Sequence, residues 1–111
     1  MINFWSLKIN CEDSLKDSVS VILGVKPNIK YGWELEKIEE EEDPYVNYIE
    51  YFLDLLEFNY EKLSLIGVEK SDISIWLLYE YDQQCNMEFL PQNTLRLGEN
   101  GIVLCVSCWQ K

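Results

Sequence analysis

Glu39, Glu40, Glu41, Glu42 and Asp43 form an unbroken run of carboxylates directly before Pro44. Clustered carboxylates attract the Lys and Arg side chains of a cationic partner, over a range that salt shortens. Paired carboxylates also move protons in glycoside hydrolysis. That chemistry needs two acids facing each other across a cleft with separated pKa values, and neighbours in one run have no reason to converge. Tyr45, Tyr48 and Tyr51 follow at once, and tyrosine is a frequent interface anchor. The candidate contact surface is therefore Glu36, Glu39, Glu40, Glu41, Glu42, Asp43, Tyr45 and Tyr48. Glu80 and Asp82, beside the polar stretch QQCNME, extend it as a second acidic segment. The plain alternative is a solvated loop leading into a helix, the ordinary fate of a charge run.

Other chemistries lack their parts. The chain has no histidine to act as base for a Ser or Cys nucleophile, and neither a GxGxxG nor a P-loop pattern occurs. Cys11, Cys85, Cys105 and Cys108 are expected to be reduced and to act as small core fillers. Cys105 and Cys108 fall in the apolar run GIVLCVSCW, where a period of two sends their sulfurs to opposite sheet faces and disfavours a shared zinc ion. Trp5, Trp33, Trp76 and Trp109 could line a ligand pocket but are assigned to sheet packing. Neither enzymatic turnover nor a metal or other cofactor is expected.

The 20 acidic residues outnumber the 9 basic ones and leave a formal charge of -11, which opposes binding to nucleic-acid phosphates. It favours encounter with a basic protein. At 111 residues, 48% of them hydrophobic, the chain fits one domain with one core. The N-terminal residues MINFWSLKINCEDSLKD carry no basic leader joined to an apolar segment, and no apolar run approaches the roughly 20 residues that span a bilayer. A cytoplasmic protein without membrane contact is the expectation.

The elements that must position the carboxylates follow from periodicity. FWSLKINC alternates as a strand with Trp5, Leu7, Ile9 and Cys11 on one face. In EDSLKDSVSVILGVKP, Asp13 or Ser14 caps a short helix that stops at Gly24. YGWELEKIE reads as a second strand, with Trp33 and Leu35 opposite Glu34 and Glu36. From Pro44, the spacing of Val46, Ile49, Phe52, Leu53, Leu56, Tyr60 and Leu63 predicts one amphipathic helix ending near Gly67, with Asp43 as its N-cap and Pro44 as its first residue. DISIWLLYEY, apolar on both faces, predicts a central strand. A helical turn over Pro91–Leu97, stopped at Gly98, precedes the last strand, IVLCVSCW. The order β-α-β-α-β-α-β implies an α+β two-layer sandwich, a mainly antiparallel four-stranded sheet with helices on one face.

The segments WSLKI, ILGVKP, YGWELE and LPQNTLRLGENGIVLCVSCW, with Leu90, Leu95, Leu97 and Gly98 before the final strand, resemble the bacterial domain of unknown function 4279. The resemblance implies a small bacterial sheet-and-helix protein and transfers no functional residue. In size and charge class the chain is also similar to immunity proteins of contact-dependent inhibition and related polymorphic toxin systems. That resemblance implies a protein that binds and neutralises a basic toxin domain, a nuclease or another kind. A cytoplasmic module with a structural or small-ligand role stands as the alternative, and a carboxylate-dependent hydrolase as a third reading. An exposed strand edge leaves homodimerisation open.

Overall fold

The computed structural model describes residues 2–110. Four strands, β1 (Ile2–Ile9), β2 (Trp33–Glu40), β3 (Ile73–Tyr81) and β4 (Val103–Gln110), alternate with α1 (Lys16–Leu23), α2 (Tyr48–Leu56), α3 (Tyr60–Leu65) and α4 (Pro91–Asn100). The sheet order is β2-β1-β3-β4. β1 pairs antiparallel with β2 and with β3, whereas β4 lies parallel to β3. The parallel pair requires a crossover, and α4 supplies it. The α+β two-layer arrangement expected from the sequence is the one observed, with β3 in the sheet interior.

Directly paired residues share a face. Leu7, Ile9, Leu35, Ile73 and Ile75 meet Val19 and Leu23 of α1, Ile49, Phe52, Leu53 and Leu56 of α2, Leu63 of α3 and Leu97 of α4 in one buried cluster. Burying each large side chain stabilises the fold by about 1.5–3 kcal/mol relative to leaving it in water. Trp33 also belongs to this layer, and its indole N–H donates to Ser20 Oγ at 3.0 Å, tying β2 to α1. On the other face, Ser6 is fully buried and donates to Glu34 Oε2 at 2.9 Å, while Lys8 lies over the Trp76 ring at 4.3 Å.

Five local expectations are corrected. The first helix is capped by neither the Asp13 nor the Ser14 side chain; a 3₁₀ turn over Asp13–Leu15 feeds directly into α1. The long helix from Pro44 is two helices. Asp43 does not cap it: its Oδ2 accepts from the Glu40 N–H at 3.1 Å and its own N–H returns to the Glu40 carbonyl at 3.0 Å, closing a turn. Asn47 is the cap, accepting the Glu50 N–H at 3.2 Å, so α2 starts at Tyr48. The helix then breaks at Phe58, whose φ is 68°, and the Asn59 side-chain amide donates to the Leu55 carbonyl at 2.8 Å. The amphipathic spacing survives because the break turns α3 back onto the same core.

Gly98 does not stop α4. The helix runs to Asn100 and ends at Gly101, φ 68°, with Ile102 N–H bonded to the Leu97 carbonyl and Gly101 N–H to that of Gly98, both at 3.1 Å. Asn100 draws this last turn inward: its side chain donates to Glu57 Oε1 at 3.1 Å and accepts from the Tyr60 hydroxyl at 2.7 Å. Cysteines are not uniformly core fillers either. Cys11 and Cys105 are half-buried, but Cys85 and Cys108 are exposed.

Candidate interaction site

Strand register assembles the acidic residues. The C-terminal end of β2, the start of β1 and the end of β3 lie at one end of the sheet, because Glu39 is opposite Asn3 and Asn3 is opposite Tyr79. Glu40 and Glu80 therefore flank β1 on the same face, about 10 Å apart at two strand spacings. Forty residues of sequence separate two acids that share one end of the sheet.

Glu39 and Glu40 belong to β2 rather than to a loop, and Glu41, Glu42 and Asp43 form the turn beyond it. Asp82, exposed in the segment after β3, is held by its carbonyl, which accepts from Gln110 Nε2 at 3.1 Å. Glu36 lies farther down β2, its backbone N–H and carbonyl both bonded by the Asn28 side chain at 2.7 and 2.8 Å. Burial, then the charge of Glu34, pushes the Glu36 carboxyl up. Glu36 is thus fixed along the strand, apart from the turn.

The tyrosines divide. Tyr45 is 77% exposed beside the acidic turn. Tyr48 is half-buried, its ring 6.4 Å from those of Trp5, Tyr51 and Phe52, so it finishes the core. Burial, followed by the charges of Glu39 and Asp43, raises its hydroxyl pKa.

Two concavities meet at Glu39 and Tyr45. One is an open depression of about 350 Å³ among Asn3, Glu39, Glu40, Glu41, Asp43 and Tyr45. The other is a more enclosed cavity of about 230 Å³ between the sheet end, the start of α2 and the segment leading into α4. Trp5, Tyr79 and Phe89 contribute aromatic walls to the cavity, and Glu39 and Glu88 supply carboxylates. Asn47 and the buried Asn93 join its helical side, Asn47 Nδ2 donating to Asn93 Oδ1 at 3.2 Å.

Two atoms of residues lining this cavity, Asn3 Oδ1 and Trp5 Nε1, are buried without a hydrogen-bond partner among the described residues. An unsatisfied buried polar atom costs about 1–3 kcal/mol, so these two atoms, closed off from solvent, are a local cost within the fold. Asn3 Nδ2 is already engaged, donating to Glu39 Oε1 at 3.3 Å. Sequence reasoning missed Asn3 and assigned Trp5 to packing alone. Alternation does place both on the core-facing side of β1, but which polar atoms go unpaired depends on neighbours from four other segments.

Among the described residues, no group of three or more His, Cys, Asp or Glu side chains could hold a metal ion. No helix among them is long and apolar enough to cross a membrane. Compared with known proteins, the chain matches no family model, no curated protein and no solved structure.

Proposed function

We propose that this is an immunity-type binding protein of the bacterial cytoplasm, which neutralises a basic toxin domain by stoichiometric binding through the acidic end of its sheet. The observation that carries the reading is the meeting of two concavities at Glu39 and exposed Tyr45, inside a rim of carboxylates. A charged rim alone is a solvated surface. A charged rim around concave, aromatic-lined relief offers a partner both steering and a place to seat side chains.

Glu40, Glu41, Glu42, Asp43, Glu80 and Asp82 would speed encounter, and Tyr45 would slow release. The overall charge of -11 disfavours nucleic acid itself, so a nuclease partner would be blocked at its own basic cleft. Any homodimer would use β4, the other sheet edge, because β2 carries Glu34, Glu36, Glu39 and Glu40.

The test is co-expression with the toxin encoded beside this gene in its native strain. A complex is expected whose association rate falls at least about tenfold on reversing Glu40, Glu41 and Glu42 to Lys, and falls with added salt. An unchanged complex after charge reversal rejects the site. Failure of the neighbouring toxin to bind the folded protein rejects the function.

A further inference from the structure

We propose that the sheet face turned away from the helices is a docking surface for a basic amphipathic helix of a partner protein, its apolar stripe on the sheet and its Lys or Arg side chains along the flanks. Strand register sets the residues of this face in rows. Ile38 of β2, Phe4 of β1 and Leu78 of β3 stand side by side, and in the next row Trp76 adjoins Cys105. A sheet with one wet face alternates apolar residues inward with polar ones outward. Here Phe4, Ile38, Trp76 and Leu78 are turned outward, and none of them belongs to the buried cluster on the helix side. Ile38 is 50% exposed. A contiguous apolar patch rimmed by polar groups marks an interaction surface.

The charges around this apolar centre select the occupant. Glu34, Glu36 and Glu40 line its β2 side and Glu80 stands at the end of β3, whereas Lys8, over the Trp76 ring at 4.3 Å, is the one cation that the four described strands turn to this face. Glu36, Glu40 and Glu80 form no ion pair among the described residues. Burial, then the charge of Glu34, pushes the Glu36 carboxyl up, and a Lys or Arg from outside would offset that field. A second copy would set one group of these carboxylates against another, and an anionic lipid surface would be repelled. The dimensions suit one helix: three strand spacings make the face about 14 Å wide, and six residues make it about 20 Å long. A helix with its side chains is about 10–12 Å across, and about 13 residues cover that length. The cavity lined by Trp5 and Tyr79 lies on the other face, so this surface is separate from the site of the toxin reading and does not rest on it.

Three synthetic peptides of equal length, each about 14 residues, test the assignment. The first carries a Leu stripe at helical spacing flanked by Lys, the second the same stripe flanked by Glu, and the third the Leu and Lys of the first in an order that breaks the stripe. Titrated into the isotope-labelled full chain, the first is expected to bind saturably and to shift the Trp76 indole N–H resonance, while those of Trp5 and Trp33, on the helix-covered face, stay in place. The second and third are expected to bind at least about tenfold more weakly, one for want of complementary charge and the other for want of an apolar stripe. Ile38→Lys, a charge set into the apolar centre at a half-exposed position, should weaken the first peptide by at least about tenfold; the wild-type indole shifts decide the matter if that variant lacks a native thermal transition.

Absence of saturable binding by the Lys-flanked peptide overturns the proposal, as does equal binding by either of the other two. Shifts confined to Trp5 and Trp33, or full affinity in a folded Ile38→Lys variant, would place the peptide elsewhere and overturn it as well. Neutralising Glu41 and Glu42 to Gln should leave the affinity within about twofold, because the turn acts on this face only through screened solvent. Loss of binding in that variant would move the peptide to the acidic turn and reject the open face. Self-association of the chain that Ile38→Lys abolishes would give the face to a second copy and reject the helix. None of these measurements uses the toxin, so failure of either reading leaves the other standing.

Discussion

The Sγ atoms of Cys85 and Cys108 stand 3.1 Å apart, although 23 positions separate the residues in the chain. Cys108 sits near the end of β4, and Cys85 reaches it from the segment after β3, which also delivers Phe89 to the cavity. The two thiols are exposed. A hydroperoxide should oxidise them to a disulfide: the two thiols lose two hydrogens, and the peroxide is reduced to an alcohol and water. Intact-mass measurement with alkylation should find Cys11 and Cys105 still free. The hydrogen bond to Cys108, then burial, raises the Cys85 pKa, so the reaction should accelerate with rising pH as thiolate forms. Cys85→Ser should abolish the internal crosslink.

Arg96 ties α4 to the α2–α3 junction, its guanidinium 2.6 Å from Asp54 and 2.9 Å from both oxygens of Glu57. Hydrogen bonds from Arg96 and then Asn100 hold the Glu57 carboxyl down to about 2, against an ordinary 4.5. A carboxyl with a lower pKa in the folded state contributes stability that is complete above the unfolded value and is lost as pH falls through the folded one. The urea midpoint should therefore decline as pH falls from 4.5 to about 2. Glu57→Gln should decline less steeply over that window, and an identical slope would discount the contact.

At the alkaline end, burial, and then the charge of Glu57, push the Tyr60 hydroxyl up to about 12 from 10.0. This acid is neutral in both states below pH 10 and ionises first in the unfolded chain. Its contribution is full below pH 10 and falls away as pH rises toward about 12. Replacing Tyr60 with Phe should flatten the fall in stability between those values, at the cost of the hydrogen bond to Asn100 at all pH values.

Phe58 is 95% exposed and holds φ at 68°, a left-handed conformation that costs a side-chain-bearing residue about 1–2 kcal/mol. Phe58→Gly removes that strain and little packing, while adding freedom to the unfolded chain. A net stabilisation of about 0.5–1 kcal/mol is expected, read as a higher thermal midpoint. A lower midpoint would show that the exposed ring has a packing role.

Core and rim should separate cleanly in mutants. Phe52 is fully buried between α2 and the sheet, so Phe52→Ala should cost about 3–5 kcal/mol of stability. Tyr45→Ala, on a residue 77% exposed, should stay within about 0.5 kcal/mol. Its effect is expected in the dissociation rate of a partner, measured by surface binding kinetics.

The strands, the apolar stripes and the layer architecture were legible in the chain because each depends on local periodicity: alternation placed Leu7, Ile9, Trp33 and Leu35 on one face, and helical spacing placed Ile49, Phe52, Leu53 and Leu56. The carboxylate run was equally plain. Folding decided what periodicity cannot encode. Asn47 rather than Asp43 begins α2, since a cap is chosen by where the helix can meet the sheet, and Phe58 breaks the helix because α3 must turn back to the same core. Strand order brings Glu80 to the same end of the sheet as Glu40, one on each side of β1, and packing leaves Asn3 and Trp5 each with a buried, unpaired polar atom. A residue's type and spacing set which face it prefers, but its partners come from segments far along the chain, and only their packing determines which groups meet.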